Sequence, residues 1–158
     1  MKLRLAAAVA AGLTLALGVT GCNMITPQAT LNQYNPGDGL NGQSGDVAFR
    51  NALLVVDGAD ASSASLNVTF FNQSDSPQSV AVLVGTQELS VTLQPGPTVF
   101  GTQDNQLVVP VDSPVLGSLV NATVTANGGE PVGTQLQVFS ADSPSYEDRA
   151  PTTAPSDD

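Results

Sequence analysis

From residue 64 to residue 140, apolar and polar side chains alternate one for one in short runs, each cut by Gly, Pro, Asn or Asp. In ASLNVTFF (64–71), Leu66, Val68 and Phe70 alternate with Asn67 and Thr69. Val80, Val82 and Val84 repeat the pattern, as do Leu89, Val91 and Leu93. Further on, Val120, Ala122, Val124 and Ala126 alternate with Asn121, Thr123 and Thr125, and 132–140 carries Leu136 and Val138. A period of two places every second side chain on one face, so these segments can bury a face as strands but not as helices. The breaks NQSDSP (72–77), Pro95-Gly96-Pro97 and NGGE (127–130) supply turns, the last with a hairpin signal. The apolar run DVAFRNALLVV (46–56) adds a strand, and short strands fit 98–100 and 106–109 around a turn at Asp104-Asn105. No segment carries an amphipathic helix of useful length. About seven or eight short strands bounded by turn residues predict an all-β chain, an antiparallel β-sandwich over residues 45–141.

The N-terminus follows a different rule. Lys2 and Arg4 precede an apolar run, Leu5 to Thr20, of mostly Ala, Leu, Val and Gly, which ends at Val19-Thr20-Gly21-Cys22. A basic start, an apolar stretch of about 15 residues and small residues at the cut describe a secretory signal peptide over 1–21. The run is shorter than the roughly 20 apolar residues a spanning helix needs. Its last four residues resemble the lipobox of bacterial lipoproteins, in which the cysteine thiol receives a diacylglyceryl group and cleavage leaves it N-terminal. Cys22, the only cysteine, stands at that position. The expectation is therefore a chain held on the extracytoplasmic face of the cell membrane by palmitate-type lipid on Cys22. Each buried CH₂ adds about 0.8 kcal/mol, so two or more acyl chains anchor firmly where one does not. Residues 22–44, rich in Gly, Asn, Gln and Pro, read as a flexible tether with a root-mean-square span of about 25 Å. Residues 142–158, polar, acidic and rich in Pro, read as a disordered tail.

Charge removes whole classes of function. The full chain has 4 basic and 14 acidic residues and no histidine, for a net charge of −10. Losing Lys2 and Arg4 with residues 1–21 leaves Arg50 and Arg149 against all 14 acids, or −12. Binding a nucleic acid displaces counterions with clustered Lys and Arg, which this chain lacks. A polybasic contact with anionic lipid fails for the same reason. Without histidine there is no Ser-His-Asp or Cys-His nucleophile and no histidine zinc site. A processed chain also has no lysine to serve as base for a serine. A glycosidase-type carboxylate pair survives as the one available catalytic chemistry, with no spacing that singles out two acids.

Two local motifs have plain structural readings. Gly37-Asp38-Gly39-Leu40-Asn41-Gly42 matches G-x-G-x-x-G, but a dinucleotide site needs a strand before it and a helix after. Asn35-Pro36 precedes it and a polar stretch follows, so it reads as linker. Asp57-Gly58-Ala59-Asp60 offers oxygen ligands to calcium without the ligand density of an EF-hand loop, and reads as a turn between strands.

The blocks GQSGDVAFRNALL (42–54), LNVTFFNQSDSPQSV (66–80), TVFGTQDNQLVV (98–109) and LQVF (136–139) together resemble the LpqE-type actinobacterial lipoproteins. Those are similar in turn to periplasmic copper chaperones of the PCuAC class. The resemblance implies an immunoglobulin-like, cupredoxin-like sandwich. It also implies Cu(I) ligation by paired His and Met, soft and borderline ligands suited to that ion. None of those ligands carries over, because the chain has no His and its only Met past the signal peptide is Met24. Fold does not bring function with it.

The functional expectation is a membrane-anchored, non-enzymatic binding or accessory module of the cell envelope, with no catalytic residue, cofactor or metal. An envelope protein or polymer would be met through sheet faces or the loops 72–77, 94–98 and 102–105. The alternatives are a metal-handling protein of the copper-chaperone lineage, with an oxygen-rich site better suited to calcium, and a carboxylate hydrolase of envelope glycans. Changing Cys22 to Ala should move the protein from the membrane to the aqueous fraction on cell fractionation; continued membrane retention would refute the anchor.

Overall fold

The sequence pattern is realised in a computed structural model that describes residues 37–152 and, ahead of them, Arg4 alone. The signal-peptide and Cys22 expectations, and residues 153–158, lie outside the described residues. Nine strands run through the described chain: β1 Leu40–Ser44, β2 Val47–Val56, β3 Ser63–Asn72, β4 Gln78–Val84 and β5 Gln87–Leu93, then β6 Gly96–Phe100, β7 Val108–Pro110, β8 Leu119–Ala126 and β9 Val132–Ser140. The order across the sheet is β5-β4-β8-β9-β2-β3-β6, with β1 added on β2 and β7 on β3. The all-β expectation is met.

One strand joins the two layers. The first part of β9 pairs antiparallel with β8, from Val132↔Val124 to Leu136↔Val120 and Gln137↔Leu119. Its last residues then pair in parallel with β2, Leu54↔Val138 to Val56↔Ser140. This parallel seam lets the sandwich close almost into a barrel. The facing sides bury Val80, Val82 and Val84 of β4, Ala122, Val124 and Ala126 of β8, Leu66, Val68 and Phe70 of β3, and Leu136 and Val138 of β9. These are the alternating positions of the sequence. The rings of Phe70 and Phe100 meet edge to face, with centroids 6.1 Å apart.

β2 has no such alternation because both of its faces are covered. Phe49, Leu54 and Val56 enter the main core, while Leu53 and Val55 point the other way into a smaller cluster with Ala141 and Tyr146. Of the residues that cover Leu53 and Val55, Tyr146 and Ala150 belong to the segment expected as a disordered tail. That expectation is corrected as far as Thr152. Glu147–Arg149 form a single 3-10 turn, Tyr146 is buried, and Gln106 binds the segment at Ala150 and Thr152. A lone aromatic supplies the reason. Burying a tyrosine removes about 150–250 Å² from water, enough to hold an otherwise polar segment.

The tether expectation for 22–44 is corrected at its end. Leu40–Ser44 form β1 on the edge of β2, and Ser44 is buried, its hydroxyl donating to the Glu130 carbonyl at 2.7 Å and accepting from the Ala126 N–H at 3.0 Å. Along that same edge β1 pairs with residues 47–52 and β9 with residues 54–56. Near the end of the β1 stretch, ahead of its last pair Leu40↔Ala52, the register shifts in a bulge at Asn51, whose φ is +53°. Asn51 tolerates this left-handed conformation because its side chain bonds locally. Its Oδ1 accepts from the Gly39 N–H at 2.8 Å, and its own N–H donates to Asn41 Oδ1 at 2.8 Å.

Replacing Asn51 by Gly keeps the positive φ and loses the side-chain bond, whereas Ala loses both. Urea unfolding should therefore rank Asn51→Ala below Asn51→Gly, with a loss of about 1–3 kcal/mol for Ala. The opposite ranking would show that the bulge does not depend on the backbone conformation.

Candidate functional site

The motifs singled out in the sequence take structural roles. Gly39 is buried against the backbone of Asn51 and Ala52, and Gly42 lies against the ring of Phe49, with no room for a side chain at either position. The G-x-G-x-x-G spacing therefore reflects close approach of one strand to another, with no helix after it. The Asp57–Asp60 stretch is the turn between β2 and β3, with Gly58 at φ +81°. No group of three or more His, Cys, Asp or Glu that could hold a metal occurs among the described residues.

The loops proposed for recognition are divided by the fold. Residues 72–77 and 94–98 lie together, tied by Asn72, which is buried and donates to the carbonyls of Ser76 at 2.8 Å and Leu93 at 3.2 Å. Its Oδ1 accepts from the Ser74 N–H at 3.0 Å, so this turn is shaped by its own hydrogen bonds. Residues 102–105 form a separate bridge, Thr102↔Asn105, near Asp148 and Arg149.

The opposite end of the sandwich from Asn72 is open. There a recess of about 500 Å³ lies at the edge of the main core, whose Leu54, Val56, Ala64, Val84 and Val138 beneath it are themselves shut off from water. Its rim is the β4–β5 turn with Thr86 and Gln87, and the β7–β8 connection from Val111 to Ser118. That connection is fastened at both ends. The Val111 N–H donates to the Ser62 carbonyl at 3.0 Å, the Gly117 N–H to Val138 at 2.8 Å, and the Val138 N–H to Ser118 at 3.0 Å. Between the fastenings Val115 is 68% exposed and Leu116 44%, and Leu119 just beyond is 57% exposed. Three of the six exposed large hydrophobics among the described residues thus fall within five positions, Val115 at the recess and Leu119 beside Leu40 and Gln137. Asp112 is the one charged side chain that lines the recess.

The sequence reading missed this site. Its signal was Pro114-Val115-Leu116-Gly117, an apolar pair between a Pro and a Gly, too short to be a buried strand.

The other chemically distinctive group is Tyr146. Its ring stacks on Phe139 with centroids 4.9 Å apart, and its hydroxyl donates to Asp38 Oδ2 at 2.5 Å. Burial, the hydrogen bond to Asp38 and the Asp38 charge push its pKa up to about 12, opposed by Arg149. Arg149 Nη1 donates in turn to the buried Asn67 Oδ1 at 3.0 Å. Asp38, Asn67 and Arg149 therefore clasp the C-terminal segment to the outer face of β2 and β3.

No family model matches the chain, and no curated protein matches it. Solved structures do. The apo PmoF2 PCuAC domain aligns with a TM-score of 0.50 at 16% identity, over 66% of this chain and 98% of that domain. The apo PCuAC domain from PmoF1 aligns with a TM-score of 0.50 at 14% identity, over 64% and 99%. The copper-bound PCuAC domain from PmoF2 gives 0.49 at 16%, over 64% and 98%. The fold is PCuAC-like. At these identities the likeness establishes the fold alone. The donor set of this chain does not suit Cu(I): it has no His, and the described residues include no Met or Cys.

The Tyr146 clasp has a pH signature. The folded state holds the phenol neutral, and the unfolded chain ionises from the ordinary value of about 10. Stability from this group is thus complete below pH about 10 and is lost as the pH rises towards about 12. A chain without residues 1–21 has no lysine to obscure that window. Thermal melts should fall more steeply between those values for the native protein than for Tyr146→Phe, and parallel curves would show that the phenol is not held in this way.

Proposed function

We propose that this chain is a lipid-anchored extracytoplasmic binding module of the LpqE type, working without catalysis, with the recess at the open end of the sandwich as its binding site. The observation that carries this reading is the recess itself. Its rim loop is fastened by backbone hydrogen bonds and exposes Val115 at its mouth. Pockets of about 300–1,000 Å³ with apolar walls and a few neutral polar groups are the usual form of ligand sites. Anchoring through Cys22 would keep the domain at the membrane, and the charge of the processed chain would keep it from adhering to an anionic surface.

Handling of a metal is the second reading, and the PCuAC-like fold favours it over the first. The available donors are carboxylates and carbonyls, which suit calcium rather than Cu(I).

Two measurements separate the readings. The neutral dye Nile red should bind the chain from residue 22 onward in one-to-one ratio, and Val115→Asp should weaken it about tenfold or more without lowering the melting temperature. Calorimetric titration with Cu(I) and with Ca²⁺ should give flat traces. Unchanged dye binding in Val115→Asp would sink the first reading, and a stoichiometric heat with either ion would establish the second.

A further inference from the structure

We infer that Asn127, in the turn between β8 and β9, is a modification site that water converts to aspartate and isoaspartate. The change falls in the turn to which the end of β1 is fastened.

Only Asn41 and Asn127 are followed by glycine in this chain. In such a pair the glycine nitrogen can attack the asparagine Cγ, because no β-carbon on the glycine stands in the way. A C–N bond forms to the glycine nitrogen and the bond from Cγ to the amide nitrogen breaks. Ammonia leaves with the proton that the glycine nitrogen gives up, and a succinimide ring remains. Water then opens the ring at either carbonyl. One opening yields aspartate, and the other yields isoaspartate, with one extra carbon in the backbone.

The fold separates the two asparagines. Asn41 lies in β1, where its Oδ1 accepts from the Asn51 N–H at 2.8 Å. Gly42 pairs with Phe49 and lies against its ring. The Asn41 amide cannot swing onto the Gly42 nitrogen without opening the strand. Asn127 and Gly128 are both exposed, in the middle of a turn closed by the Gly129 N–H on the Ala126 carbonyl at 2.9 Å. Among the described residues, no hydrogen bond engages the Asn127 side chain or the Gly128 N–H. Gly128, at φ +76°, has open space around it. Exposed turn tips of this kind open locally at low cost, so the attack geometry is within reach.

The position of the turn gives the conversion an effect. The Ser44 hydroxyl donates to the Glu130 carbonyl and accepts from the Ala126 N–H, so one side chain of β1 spans both ends of the turn. Gly129 approaches Ser44 and Gly45 too closely to admit a side chain. An added backbone carbon between Ala126 and Glu130 alters the spacing of both bonds, and a buried hydroxyl deprived of partners is destabilising. Aspartate adds a charge there without lengthening the backbone.

The test is incubation of the chain from residue 22 onward at pH 8 and 37 °C, in buffer and in concentrated urea. The described fold lies within one compact unit, Asn35–Asp158, which that chain contains whole. Trypsin cleaves after Arg50 and Arg149 and so places Asn41 and Asn127 on separate fragments for mass spectrometry. In buffer Asn127 should convert at least about tenfold faster than Asn41, with isoaspartate among its products. In urea the two should convert at similar rates. The aged chain should melt several degrees lower than fresh chain, whereas Asn127→Gln, which would need a larger ring, should age without that fall. Equal rates in buffer, or an Asn127 that converts only in urea, would overturn the site. Aspartate without isoaspartate would overturn the ring route, and isoaspartate without a fall in melting temperature would overturn the effect on β1.

Discussion

The bulge at Asn51 decides how this sandwich closes. One edge of β2 is shared by two strands, β1 along residues 47–52 and β9 along 54–56. Two partners cannot follow one another on a single edge unless the first leaves, and the extra residue of a bulge bends the strand and adds twist where the exchange occurs. Asn51 is suited to that position because it adopts a positive φ and its side chain satisfies the Gly39 N–H of the departing strand. The parallel seam of β2 and β9 depends on this exchange, and through it each layer is continuous with the other. Gly39 and Gly42 follow from the same constraint, since β1 approaches too closely to admit a side chain at either.

Closure places β2 in the middle of the molecule, with consequences at both of its faces. Towards the main core it contributes Phe49, Leu54 and Val56; away from it, Leu53 and Val55 would lie in water were it not for the C-terminal segment. That segment is held by one aromatic ring and by polar contacts from Tyr146 to Asp38, Arg149 to Asn67 and Gln106 to Ala150 and Thr152. A net hydrogen bond contributes about 0.5–1.5 kcal/mol, so the ring and the contacts make comparable contributions to docking it. Two residues with long-range roles, Asp38 and Arg149, sit outside the alternating strands altogether.

At the far end of β2 the layers part, and the difference from the solved PCuAC domains becomes chemical. The backbone arrangement is shared at the level of fold, but soft metal donors are lacking among the described residues, and what the chain presents at its open end is a recess rimmed by hydroxyls, an amide and the carboxylate of Asp112. A sandwich of this kind is a scaffold whose end loops carry the chemistry, and replacement of the loop residues changes the ligand without disturbing the layers.

The sequence by itself determined the strands whose two faces differ. Alternation across Leu66–Phe70, Val80–Val84 and Val120–Ala126 dictates both strand structure and which side chains enter the core, because the period of two is a property of the extended backbone. It also excluded histidine chemistry outright, since an absent residue type cannot be supplied by folding. What only the tertiary structure decided lies where contacts run between distant residues. Leu40–Ser44 has little periodicity of its own and becomes a strand only because β2 offers an edge. The acidic C-terminal segment becomes ordered only because Leu53 and Val55 need a cover. The recess exists only because the layers separate between Val84 and Val138. Local pattern reports the face a residue prefers, whereas pairing edges and cavities are properties of separate segments brought together, as Gln106 and Ala150 are across a separation of 44.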